Sequence, residues 1–160
     1  MLNQDRFKLI QHLKTKKGRI KEKLYIIEGN RCVKSYIENS SLVEEVFLGH
    51  SFVKTHNKMI ELCNKNKIEF SIISDEEIKK ISDTITPSGI LGICKLKNKS
   101  SLNLKSKRWL YLYKLSDPGN LGSILRTAAW FKIKNIALSN SSADPFNPKV
   151  VRSAAGAHTY

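Results

Sequence analysis

Apolar residues recur at helical spacing near the N-terminus, where Phe7, Leu9, Ile10 and Leu13 predict a first helix over 5–16. The basic run 14–21 is expected to end it. Leu24-Tyr25-Ile26-Ile27 predicts a strand that stops at Glu28-Gly29, and 30–38 a helix turning Val33, Tyr36 and Ile37 inward. A second strand is expected at 42–48, closed by Gly49, and a helix runs through Met59, Ile60 and Leu62. Partial alternation at 68–73 predicts a third strand. Ser74 and Glu77 then have the spacing of a capping box, with Ile78 and Ile81 as the buried side of the helix they open. The turn Thr86-Pro87-Ser88-Gly89 delivers the chain to a strand at 90–94. Helix, three strand-helix pairs and a last strand make a compact α/β unit.

Residues 97–107 are polar and basic with little power to form a core, and read as a linker. A second unit follows. Its strand at 109–113 is short and aromatic, and Asp117-Pro118-Gly119-Asn120 is a turn sequence. Leu121, Ile124, Leu125 and Ala128 predict a helix over 120–131, with Asn120 as its N-cap and Trp130-Phe131 packed in the core. A strand at 135–139 completes a parallel βαβ pattern. Asn147 and Pro148 then suit the N-cap and first position of another helix that Gly156 could end.

A helix starting just after a tight turn offers N–H groups to an anion. Arg126, one turn beyond Gly122, leans back toward that turn. An ordinary strand-turn-helix with a solvated arginine shows the same pattern.

Charge sharpens the choice of partner. Twenty-eight Lys+Arg against 14 Asp+Glu leave a net charge of +14, which favours a polyanion such as nucleic acid, although a lysine-rich composition alone also gives it. Hydrophobic residues make up 41%, enough for a folded core. No run reaches transmembrane length and no apolar leader opens the sequence. Cys32, Cys63 and Cys94 are odd in number and lack metal-like neighbours, and the four histidines lack metal spacing. A reducing, cytoplasmic setting is expected.

Two long blocks carry a resemblance. Asp117-Pro118-Gly119-Asn120-Leu121-Gly122 followed by Ile124-Leu125-Arg126-Thr127-Ala128 is similar to the first signature of the SpoU/TrmH family of RNA 2′-O-ribose methyltransferases, within the SPOUT superfamily. The block 143–157, with Asp144, Asn147-Pro148-Lys149 and Arg152, resembles the next signature. Glu28-Gly29 and Thr86-Pro87-Ser88-Gly89 resemble elements of the substrate-binding domain that precedes it.

The resemblance implies a small ribosomal-protein-like α/β RNA-binding domain at 1–96, a linker at 97–107, and at 108–160 the first part of a parallel trefoil-knot domain. It implies S-adenosylmethionine as methyl donor and gives Arg126 the central catalytic role, with Asn120 beside it. Expected RNA contacts are Lys16, Lys17, Arg19 and Arg31 in the first unit. Lys149 and Arg152 share a helix face in the second, where a solvated basic face is the alternative. Glu28 is expected to fix local structure. The family's later motifs, which build most of the cofactor pocket and the dimer surface, have no counterpart before Tyr160. The chain is therefore expected to be a truncated part of a homodimeric enzyme, inactive alone, acting on rRNA more readily than on tRNA. Two other readings stay open: an RNA-binding module without catalysis, and an enzyme of small phosphate metabolites using the same anion site.

Overall fold

The computed structural model describes residues 1–97 and 107–160, so most of the expected linker lies outside the described residues. Helix α1 (Gln4–Leu13) starts at Asn3, whose side chain accepts from the Asp5 amide at 2.9 Å. It ends earlier than its spacing predicts. Thr15 takes an extended conformation, accepts from the Gly18 amide at 3.0 Å, and starts a separate helix α2 (Lys16–Glu22) out of the basic run. A good N-cap thus redirects the chain where charge alone predicted a stop. Gly18 allows the close crossing of the two helices, because a Cβ there would lie 2.0 Å from the His12 carbonyl oxygen.

The rest of the first unit is β1 (Leu24–Glu28), α3 (Asn30–Asn39), β2 (Val43–Gly49), α4 (His50–Thr55), α5 (Lys58–Lys65), β3 (Glu69–Ile73), α6 (Asp75–Ile81) and β4 (Ile90–Lys95). The capping box forms as expected: Ser74 Oγ accepts from the Glu77 amide at 3.1 Å, and the Glu77 carboxylate from the Ser74 amide at 2.9 Å. The short α4 follows β2 directly and has no counterpart in the sequence reading. Strands lie in the order β1-β4-β2-β3, with β4 antiparallel to both neighbours and β2 parallel to β3. Successive side chains point to opposite faces of a strand. Tyr25, Ile27, Val46 and Leu48 accordingly join α3 and α5 in one cluster, while Ile26, Phe47, Leu91 and Ile93 join α1 and α6 in another.

In the second unit β5 (Trp109–Leu112) and β6 (Asn135–Leu138) pair in parallel, joined through α7 (Pro118–Trp130). Asn147 caps α8 (Pro148–Ala154), accepting from the Lys149 amide at 2.9 Å, with Pro148 at the first position. Trp130 and Phe131 do not enter the core; they are 84% and 62% exposed. Two residues make about 200° of helix, so Trp130 points away from the stripe of Leu121 and Ala128, and Phe131 already lies past the end of α7.

The position of α8 joins the two units. Val150, Val151 and Ala154 are fully buried, and Val151 belongs to the first unit's cluster beside Tyr25 and Val33. On its other side α8 meets α7 so closely that a Cβ on Gly122 would lie 2.4 Å from Ser153 Cβ. One short helix is therefore packed between two units that the sequence separates.

Candidate functional site

The turn after β5 is built differently from the sequence expectation. Asp117, not Asn120, is the N-cap of α7: its Oδ1 accepts from the Asn120 amide at 2.7 Å and its carbonyl from the Leu121 amide at 3.1 Å. Pro118 occupies the first helical position, where it has no N–H to lose. The expected anion site at the helix start is thus largely filled by Asp117 itself. Gly119 sits inside the helix without a positive φ.

What this turn does is aim a row of side chains. Asn120, Ser123 and Arg126 are three residues apart, each about 60° from the next around α7, and all are exposed. Ser123 Oγ donates to the Gly119 carbonyl at 2.7 Å, which leaves the hydroxyl oxygen able to accept. Arg126 has no ion pair or hydrogen bond among the described residues. Its guanidinium does not pass over Gly122, because that position is covered by Ser153 and the Val150 carbonyl. Arg126 stands one turn beyond this contact, exposed at the edge of the side that faces α8. Sequence reasoning missed Ser123, although its spacing between Asn120 and Arg126 was the available signal.

The loops after β5 and β6 are tied together. Lys114 N donates to Ser139 Oγ at 2.9 Å, Leu115 N to Ser142 Oγ at 3.3 Å, and Ala143 N to the Leu115 carbonyl at 2.8 Å. The second block therefore stands next to the first. Lys149 is exposed on α8, and Lys16, Lys17 and Arg31 are exposed on the first unit.

Two expected RNA contacts are engaged inside the protein. Arg19 is 2% exposed: Nε and Nη2 bind Asp144 Oδ2 at 3.1 and 2.5 Å, and Nη1 donates to the carbonyls of Leu13 and Lys14 at 2.8 and 3.0 Å. It is a structural cation, not a phosphate contact. Its sequence neighbourhood of lysines hid the difference. Arg152 is half-buried and Nη1 lies 3.3 Å from Glu28 Oε2, so only part of its fork faces solvent. Glu28 is buried and accepts from Ser82 Oγ, from Thr84 Oγ1 at 3.1 Å and from Arg152, which is the structural part expected of it.

His158 also has a place that its sequence position concealed. Its Nε2 lies 2.8 Å from the Pro145 carbonyl and its ring 5.5 Å from Phe146, while burial lowers its pKa. Phe146 in turn rests on Tyr25, with ring centroids 4.9 Å apart. The three cysteines are buried and unpaired, and the described residues hold no group of metal-ligating side chains. No described helix is long and apolar enough to cross a membrane.

An open cleft of about 490 Å³ lies between α7 and the two-stranded sheet, lined by Leu110, Leu115, Ile124, Phe131 and Ile133 with Asn120, Ser123 and Thr127 at its polar side. It has no carboxylate.

Comparison with known proteins finds two family models along the chain. Residues 4–92 match the model of the MRM3-like substrate binding domain, and residues 107–160 that of the SpoU rRNA Methylase family. The chain is 30% identical over 146 residues to RlmP of Bacillus subtilis, a 23S rRNA (guanosine(2553)-2′-O)-methyltransferase, covering 91% of this chain and 56% of that protein. It is 28% identical over 153 residues to human mitochondrial rRNA methyltransferase 3, covering 91% of this chain and 36% of the relative. The chain thus spans about half or less of these relatives. Among solved structures, a putative RNA methyltransferase of the TrmH family from Porphyromonas gingivalis superposes with a TM-score of 0.79 at 26% identity, over 99% of this chain and 61% of that one. The mixed α/β fold also matches an AdoMet-bound rRNA methyltransferase from Sinorhizobium meliloti, with a TM-score of 0.80 at 22% identity over 99% and 60% of the two chains.

Proposed function

From the premise that the chain belongs to the SpoU rRNA methylase family and carries an MRM3-like substrate-binding domain, we propose that it serves 2′-O-methylation of a ribose in ribosomal RNA, with S-adenosylmethionine as methyl donor. In this reading residues 1–96 form a ribosomal-protein-like RNA-binding domain, 97–107 the linker, and 108–160 the part of a knotted methyltransferase domain that bears its first two motifs. The protein acts in the cytoplasm as a homodimer. The cleft beside α7 is mostly aliphatic and offers no carboxylate for an ammonium or a ribose diol, so it is not assigned to the methyl donor.

The observation that carries the reading is the exposed row Asn120–Ser123–Arg126, whose guanidinium has no partner among the described residues. A planar fork with free donors binds a phosphate through two parallel hydrogen bonds, and so fixes the adjoining ribose. The Asn120 amide can then hold the sugar edge, and the Ser123 lone pairs can accept from it. Arginine stays protonated in proteins, so Arg126 acts by orientation and by stabilising charge, not by taking the hydroxyl proton. Lys16, Lys17, Arg31 and Lys149 supply further phosphate contacts, and the open part of Arg152 adds one at the seam.

The test is transfer of a labelled methyl group from S-adenosylmethionine into rRNA by the gene product at its natural length. Arg126→Lys keeps the charge and loses the fork, and transfer is expected to fall about a hundred-fold. Normal transfer by that variant contradicts the reading. Salt-sensitive rRNA binding with no transfer by the wild type identifies an RNA-binding module instead.

A further inference from the structure

The seam between the two units has opposite polarity at its two ends. Ahead of α8 the first unit supplies the cation, with buried Arg19 on Asp144. In the last turn of α8 the first unit supplies the anion, with buried Glu28 on Arg152. Between these ends, Val151 is sunk in the first unit's core and Phe146 rests on Tyr25. Beyond them Gly156 presses on Ser35, where a Cβ would come within 2.4 Å of the hydroxyl. A single ion pair would let a seven-residue helix pivot. One pair at each end, with an apolar wedge between, fixes both its position and its direction. Asp144, four residues ahead of α8, and Arg152, in its last turn, carry opposite charges and meet opposite partners, so exchanging the two contacts would set Arg19 against Arg152 and Glu28 against Asp144. The helix held this way packs on α7 at Gly122, one turn from Arg126.

We infer that the Arg19–Asp144 and Glu28–Arg152 pairs select the target nucleotide: they hold the RNA-bearing surface of the first unit at a fixed offset from Arg126, so that one ribose reaches it. This rests on the methyltransferase reading above. Arg19, Asp144 and Glu28 are positioning residues that touch no RNA. They set where α2, with its exposed Lys16 and Lys17, stands relative to the reacting face.

The test removes one pair from the gene product at its natural length. Arg19→Ala with Asp144→Ala deletes both charges together and leaves neither buried and uncompensated. Should that double variant fail to fold, Glu28→Gln, which keeps the side chain's shape without its charge, carries the same test. Three quantities are read: hydrogen exchange of the α8 amides, affinity for rRNA, and methylation mapped nucleotide by nucleotide. Exchange in α8 is expected to quicken, while affinity stays within about two-fold because no phosphate contact is lost. Methylation at the principal ribose is expected to drop about a hundred-fold, with new methylation at neighbouring nucleotides. Unchanged exchange, methylation of the same ribose at the wild-type rate, or a loss of affinity that accounts for the whole loss of transfer each overturn the proposal. A wild type that transfers no methyl group defeats the enzymatic reading, and target selection falls with it. Unchanged exchange in a protein whose wild type does methylate defeats the latch alone.

Discussion

Replacing Gly122 with alanine adds one carbon where α7 and α8 pack closely. That carbon would stand 2.4 Å from Ser153 Cβ, 2.7 Å from the Val150 carbonyl oxygen and 3.0 Å from the Ala154 amide. The first of these is about 1 Å short of ordinary carbon–carbon contact. Two of the three atoms are backbone, so no rotamer change relieves them, and α7 and α8 must part. Overpacking of this kind costs about 2 kcal/mol. For a chain of this size that is a loss of about 4–8 °C in melting temperature. Circular dichroism melting of Gly122→Ala measures it directly. Adding Ser153→Gly removes the first clash but not the Val150 carbonyl, so the double variant should recover part of the loss and not all of it. Because α8 is also packed into the first unit, the whole chain should melt in one shifted transition. A Gly122→Ala protein that melts within about 1 °C of wild type would refute the close helix contact, and with it the claim that α7 is set by α8.

Other outcomes follow from local geometry. Lys132 ends α7 with φ 57°, a left-handed conformation that disfavours a side chain, so Lys132→Gly should gain about 0.5–1 kcal/mol and raise the melting temperature by about 2 °C without altering RNA binding. His158 is partly buried and desolvation holds its pKa below the ordinary value of 6.5, so the unfolded chain takes up a proton there more readily than the folded one. Its contribution is complete above that ordinary value and is lost as pH falls toward the folded pKa; a melting series from about pH 7.5 to about 5.5 should fall, and fall less in His158→Gln, which can still donate to Pro145. Burial pushes the Cys32 thiol up to about 12 and Cys94 well above its ordinary value, so thiol reagents should modify them only after denaturant unfolds the chain.

Much of the first unit was legible because its elements have unambiguous periods. The apolar run from Leu24 to Ile27, the capping box at Ser74 and Glu77, and the Asn147-Pro148 start of α8 all follow from local chemistry. Where two local signals competed, the stronger was harder to see. Thr15 as a cap outweighed the continuing lysine run, and Asp117 took the capping position that Asn120 was expected to hold. Long-range roles had no local signal at all. Arg19 reads like any member of its basic stretch until Asp144, 125 residues away, closes on it. Trp130 and Phe131 read as core because aromatic residues on a helix usually are; only the direction of α8 packing shows that their side is open. The candidate site lay in between. The motif singles out Arg126 and Asn120, whereas the row they form with Ser123, and the filling of the helix start by Asp117, follow only from the fold.

The most direct test of the central claim is ribose-methylation mapping of total rRNA from cells lacking the gene, complemented with wild type or with Arg126→Ala. One 2′-O-methyl group should disappear on deletion, return with the wild type, and stay absent with the variant. A methylation pattern indifferent to the gene, or fully restored by Arg126→Ala, would contradict it.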